Sequence, residues 1–212
     1  MNITKVITTI FILLLLSLGA VFLYSKYQDS KDYFIYKGAN GDYRIDIFLT
    51  GNQTDYYVYS VSDDILYRIP LRKRPQDVEA IPLEPNLLDK ITRPSGTHRV
   101  YITQDPGTAN KTAQYSILAL IDIGKILGKA EYGIYKLNVQ GALTMETPRS
   151  KEIALPIITC NTVNETVSVI YLTLGTENKV YSEKDCIIVE GKDTEGLTLA
   201  ANKFAYYLLG VF

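Results

Sequence analysis

Three hydrophobic patterns follow one another along the chain. Residues 6–25 form an uncharged run of 20 positions that contains the stretch IFILLLL. At 1.5 Å per residue such a helix spans about 30 Å, the hydrocarbon thickness of a bilayer. A cleaved signal peptide, the competing reading, has a shorter apolar region of about 7–15 residues before small residues. Ser17-Leu18-Gly19 offers a mediocre cleavage site, and the run continues beyond it through Val21, Phe22 and Leu23. Tyr24 and Tyr27 stand where interfacial aromatics are expected. The pattern therefore predicts a transmembrane anchor and stalk over residues 1–32, entering the bilayer at Val6 and leaving it at Leu23.

The second pattern has a period of two. In residues 43–49, Tyr43, Ile45, Ile47 and Leu49 alternate with Arg44, Asp46 and Phe48, so one face of a strand is apolar. Asn40-Gly41, Gly51-Asn52 and Ser62-Asp63-Asp64 punctuate the surrounding runs as turns. Residues 33–71 thus read as a four-stranded antiparallel meander. Its tyrosines suit a half-buried pleated surface, or an aromatic platform for sugars or a partner protein.

Residues 72–97 break the rhythm, because Pro75, Pro82, Pro85 and Pro94 prevent a long helix or central strand. This connector is expected to hold one helical turn at 76–79. It opens on Arg72-Lys73-Arg74, a solvated basic face or a contact for lipid headgroups or glycan phosphates.

From His98 the period switches between two and 3.6. The expected elements are strands at 100–103, 133–139, 154–159, 167–174, 179–182 and 186–190, with helices at 111–128 and 194–209. In the first helix Lys111, Gln114, Asp122, Lys125 and Lys129 read as a polar stripe, with Ile117, Leu120, Ile121, Ile123 and Leu127 over the rest. Residues 98–212 therefore predict a layered α/β domain with two main helices. The whole is a mixed α/β (α+β) protein behind an N-terminal transmembrane helix.

Composition narrows the function classes. With 22 basic and 23 acidic residues the formal net charge is −1, which argues against nucleic acid as a partner. The only cysteines, Cys160 and Cys186, both follow the anchor and read as a disulfide, with two unrelated buried thiols as the alternative. Asn52, Asn110 and Asn164 each begin an acceptor sequon for glycosylation. The positive charges flanking the anchor are nearly balanced, so the cysteines and sequons decide the orientation: N-terminus cytoplasmic, domain outside, cell membrane, single-pass.

Catalytic signals are weak. His98 is the only histidine, which disfavours a metal cage, and no GxSxG accompanies it. Asp105, Gly107 and Thr108 lie between a strand and a helix, where ligand sites of α/β folds often sit, although turn formation and capping are the preferred explanation. Residues 191–196 lack the spacing of a phosphate loop, and Asp63-Asp64 are neighbours in a turn. No catalytic residue, cofactor or metal is expected.

The ending CIIVEGKDTEGLTLAANKFAYYLLGVF resembles a group of uncharacterised archaeal single-pass membrane-anchored surface proteins, as do YITQDP, GALT and LRKRPQDVEAIPL. The residues that carry the likeness are Leu71-Arg72, Pro75, Ile81-Pro82, Asp105-Pro106, Gly141 to Thr144, Cys160, Cys186 to Gly191, Ala200-Ala201 and Leu209-Gly210. The resemblance implies a surface location and no reaction. The expected function is a membrane-anchored extracytoplasmic binding or assembly module of the cell envelope, not an enzyme, with an envelope protein or glycan as partner. The alternatives are an envelope hydrolase acting on glycans through carboxylates such as Asp105, or an accessory subunit held in a membrane complex by residues 6–23.

Overall fold

The computed structural model describes residues 13–21, 32–92, 98–130 and 132–212, with the chain divided into two compact units, Met1–Phe34 and Ile35–Phe212. In the first unit, residues 13–21 are helical (α1), and Leu13 to Leu16, Leu18 and Val21 are exposed. Among the described residues no helix is long and apolar enough to cross a membrane. The rest of the expected 6–25 span, with Tyr24 and Tyr27, lies outside the described residues.

The meander forms as its turns predict. Strands β1 (Tyr33–Gly38), β2 (Gly41–Thr50), β3 (Gln53–Ser62) and β4 (Ile65–Leu71) follow one another in sheet order. The registers Thr50↔Gln53 and Ser62↔Ile65 leave only two residues in each of the last two turns. Asp63 and Asp64 both adopt positive φ, the conformation of a type I′ turn, which suits the twist of the strands but strains non-glycine residues. Ile45, Val58, Ile69 and Leu71 share one face and are fully buried.

The connector contributes a short helix, α2 (Pro75–Val78), and a 3-10 turn, Leu87–Lys90. The second sheet follows, in the order β6-β5-β7-β9-β8, with β5 (Arg99–Gln104), β6 (Asn138–Leu143), β7 (Val167–Leu174), β8 (Lys179–Glu183) and β9 (Cys186–Gly191). All pairings are parallel except β8 with β9. Helices α3 (Pro106–Leu127) and α5 (Thr194–Leu208) pack on each other, and both contact β7.

Several elements depart from the pattern. Helix α3 starts at Pro106, five residues before the expected 111, because proline is well placed in a first turn. Strand β6 occupies Asn138–Leu143 rather than 133–139. Between the expected strands at 133–139 and 154–159 lies a short helix, α4 (Pro148–Glu152), nucleated by reciprocal hydrogen bonds between Thr147 and Ser150. The strand expected at 154–159 is a coil with an isolated bridge, Leu143↔Ile157.

Cys160 and Cys186 are bridged, with Cα atoms 5.2 Å apart. Cys160 sits in a 3-10 turn, Cys160–Thr162, so the bridge does not join two strands as the sequence suggests. It instead ties the coil after α4 to the start of β9. There Ile158 and Val163 pack with Tyr101, Ala142 and Val169 in a small apolar cluster.

Candidate functional site

Two clusters of polar and aromatic side chains lie on the two sides of the meander. Strand parity places Arg44, Asp46 and Phe48 of β2 on the same face as Tyr57 and Tyr59 of β3 and Arg68 of β4, opposite the buried Ile45, Val58 and Ile69. On this outer face the Arg68 guanidinium lies between two rings, 4.2 Å from the Phe48 centroid and 4.1 Å from that of Tyr57. The two rings meet edge to face at 5.0 Å. Arg68 is exposed and donates no hydrogen bond to any described residue. Beside it Asp46 accepts from the Tyr59 hydroxyl at 2.6 Å and from Arg44 Nε at 2.7 Å. Burial alone raises the Asp46 pKa, but these two donors outweigh it and hold the carboxyl below its ordinary range. The hydrogen bond to Asp46 in turn raises the Tyr59 phenol. Val61 and Leu66, cross-strand partners, extend the face with 68% and 63% exposure.

The opposite side of the meander meets the helices through a polar cluster. Asp122 of α3 is fully buried and pairs with both Arg72 and Lys125, while Asn202 of α5 donates to it at 3.2 Å. The Asn202 carbonyl oxygen accepts from the backbone N–H groups of Arg72 and Lys73, and Lys125 also reaches the Pro70 carbonyl. Burial lowers the Lys125 pKa, opposed by Asp122. The basic run is thus not one solvated face. Arg72 pairs with Asp122, Lys73 with Glu195 and Arg74 with Asp77. Nor do Asp122 and Lys125 belong to an exposed polar stripe of α3. They face inward, and Ile117 and Ile121 are 53% and 44% exposed instead, because Arg72 supplies a buried partner that a helical pattern cannot foresee.

Above this cluster opens a cleft of about 570 Å³, walled by the β2–β3 turn, Tyr56, Arg72, Lys73, Asp77, Leu118 and Thr198.

The expected ligand positions behave differently. Asp105 leads from β5 into α3, where its carboxylate accepts from the Gly107 N–H at 2.7 Å and from the Thr144 hydroxyl at 3.4 Å. Thr108 lies in the first turn of the same helix. This is the capping arrangement, with the acid turned onto its own chain. The 191–196 loop is likewise filled from within. The Asn178 side chain accepts from Lys192 N–H, and Asp193 caps α5 by accepting from Gly196 N–H. A Cβ on Gly196 would come within 2.1 Å of Asn178 Oδ1, so glycine serves close packing there.

Other carboxylates are similarly engaged. Glu190 accepts from Thr176 N–H at 2.8 Å and the Tyr181 hydroxyl at 3.1 Å, and Glu84 accepts from Ser182. Burial, and then the bond to Glu190, pushes the Tyr181 phenol up to about 12. His98 is buried at the amino end of β5. Among the described residues no group of three or more His, Cys, Asp and Glu side chains is placed to hold a metal ion.

Of the sequon asparagines, Asn52 is exposed at the β2–β3 turn and Asn164 is exposed before β7, its carbonyl accepting from Thr166; Asn110 lies within α3. Tyrosine richness marks the meander, but no local pattern marks Arg68 itself. Its one signal is Phe48, an aromatic at a polar position of the alternation. No protein-family model, curated protein or solved structure matches the chain.

Proposed function

We propose that the chain is a membrane-anchored, extracytoplasmic, non-catalytic binding module that docks a protein of the cell envelope on the outer face of its meander. The observation that carries this reading is Arg68, ordered between Phe48 and Tyr57 with its donors uncommitted. Arginine and large aromatics dominate the energetic centres of protein interfaces, and an arginine already held in place loses little entropy on binding. A planar guanidinium recognises a carboxylate in a two-pronged contact, so the partner presents an Asp or Glu flanked by apolar side chains that cover Val61 and Leu66. A sugar partner is less well served, because Arg68 already stacks on both rings.

The disulfide supports the extracytoplasmic placement, since such bridges persist in oxidising compartments. The apolar residues 6–23 supply the anchor in this reading, and the resemblance to archaeal surface proteins agrees with it. Capping by Asp105 and the engaged state of Glu84 and Glu190 weigh against the hydrolase alternative.

The test is site-specific photocrosslinking of the full chain in native membranes. Crosslinkers at Tyr57 and at Leu66 should capture the same protein, whereas one at Glu165, on the exposed turn before β7, should not. Capture from Glu165 alone, or of unrelated proteins from the two meander positions, would overturn the assignment.

A further inference from the structure

The cleft beside Arg72 has the chemistry of a second, independent site. Its floor is cationic. One guanidinium nitrogen of Arg72 reaches Asp122, which also neutralises Lys125, so two buried-side cations share one carboxylate. Asp55, the other carboxylate acting on Lys125, belongs to the opposite face of β3 from Thr54 and Tyr56. Arg72 keeps 21% of its side chain exposed, and beyond Asp122 it makes no further side-chain hydrogen bond to the described residues. The other charges on the walls are already paired, Lys73 with Glu195 at 3.0 Å and Asp77 with Arg74 at 2.7 Å. One positive charge therefore faces the opening.

The remaining wall is neutral and hydrogen-bonding. The Tyr56 and Thr54 hydroxyls make no hydrogen bond to the described residues, although the Tyr56 phenol lies within electrostatic reach of Arg74; Asn52 lies at the mouth, and Leu118 supplies an apolar surface. The volume, about 570 Å³, lies in the usual range of small-molecule sites. This charge count decides the ligand class. A carboxylate carries one negative charge and matches the single cation at the opening, whereas a phosphate monoester carries about −1.5 to −2 at neutral pH and exceeds it. We propose that this cleft binds a carboxylated sugar, either free or at the end of a chain. Its carboxylate rests on Arg72, its hydroxyls meet Tyr56 and Thr54, and a ring face lies against Leu118. The proposal does not depend on the docking role of the outer face.

The test is calorimetric titration of the detergent-solubilised full chain carrying Asn52→Gln, which removes the glycan acceptor from the mouth. The probes are D-glucuronate, D-glucose, acetate and inorganic phosphate. Glucuronate should bind at least tenfold more tightly than each of the others. Arg72→Lys should weaken it tenfold or more, because an ammonium does not reproduce the two-pronged contact. Tyr56→Phe should weaken it about threefold at an unchanged thermal midpoint, the effect of one lost hydrogen bond. The proposal is overturned if glucuronate binds no more tightly than glucose, acetate or phosphate. It is equally overturned if Tyr56→Phe binds glucuronate as the parent does.

Discussion

Arg68 and Arg72 leave the same edge of the meander four residues apart and meet opposite fates. Arg68 is stacked on two aromatic rings and exposed; its charge helps hold the Asp46 carboxyl low, but it makes no hydrogen bond or close ion pair with a described residue. Arg72 is drawn into a seam between α3 and α5 and paired with a fully buried aspartate. The difference shows two uses of one residue type. Where the low-dielectric interior receives an arginine, a carboxylate must meet it, so Asp122, held by Asn202 and shared with Lys125, anchors its inner side. Where the arginine lies over aromatic rings at the surface, its position is fixed but its donors stay available. The first region holds the sheets and helices together; the second is the surface proposed above to meet a partner.

Removing Asp122 should have the largest effect. Asp122→Ala strands Arg72 and Lys125 and leaves Asn202 without its acceptor, costing about 3–5 kcal/mol in urea denaturation. A loss below about 1 kcal/mol would mean that the seam is water-filled and no different from the outer face. Reducing the Cys160–Cys186 bridge, which closes a 26-residue separation, should cost about 3–4 kcal/mol by loop entropy. Its apolar cluster should open before the meander does, as read by hydrogen exchange at Val169 against Val58.

Acid should act on both regions. The carboxyls of Asp46, Asp77, Glu84 and Glu190 titrate below their ordinary values of 3.8 or 4.5 in the folded chain. The unfolded chain therefore binds more protons in that window, and stability is complete above those values and falls as pH drops through them. Equilibrium unfolding at pH 6, 4 and 3 should show a flat and then a declining stability; a rise between pH 4 and 3 would contradict the hydrogen bonds assigned to these groups. Smaller still, Arg68→Ala should cost about 1 kcal/mol or less, the size of exposed cation–π contacts. Finally, Asp63→Asn with Asp64→Gly should raise stability by about 0.5–1 kcal/mol, since both positions have positive φ. The ion pair from Lys136 to Asp63 is exposed and contributes little against that gain.

The meander was legible because its information is local. Strand alternation and two-residue turns are encoded within ten positions, and the observed strands start and end where those signals stand. The α/β part was legible only in its long periodic elements. Helix α5 and strand β7 lie where expected, whereas the 154–159 segment is apolar enough for a strand and is instead coil, with Ile158 in the apolar cluster beside the disulfide. Asp122 was misread for a related reason. A helical pattern assigns a lone acid to solvent, and nothing near residue 122 announces that Arg72 will arrive beside it. The seam and the Arg68 stack both depend on contacts between distant positions or neighbouring strands, and periodicity carries no record of those.

The measurement that tests the central claim most directly is the crosslinking yield from Tyr57 to the proposed envelope partner in the parent chain and in Arg68→Ala, taken alongside the urea midpoint of each. The account predicts a fall of about thirtyfold in partner affinity, the scale of an interface hot spot, with a nearly unchanged midpoint. Equal capture by the two chains would contradict it, because the arginine between Phe48 and Tyr57 would then be no more than an ordered part of the sheet's own surface.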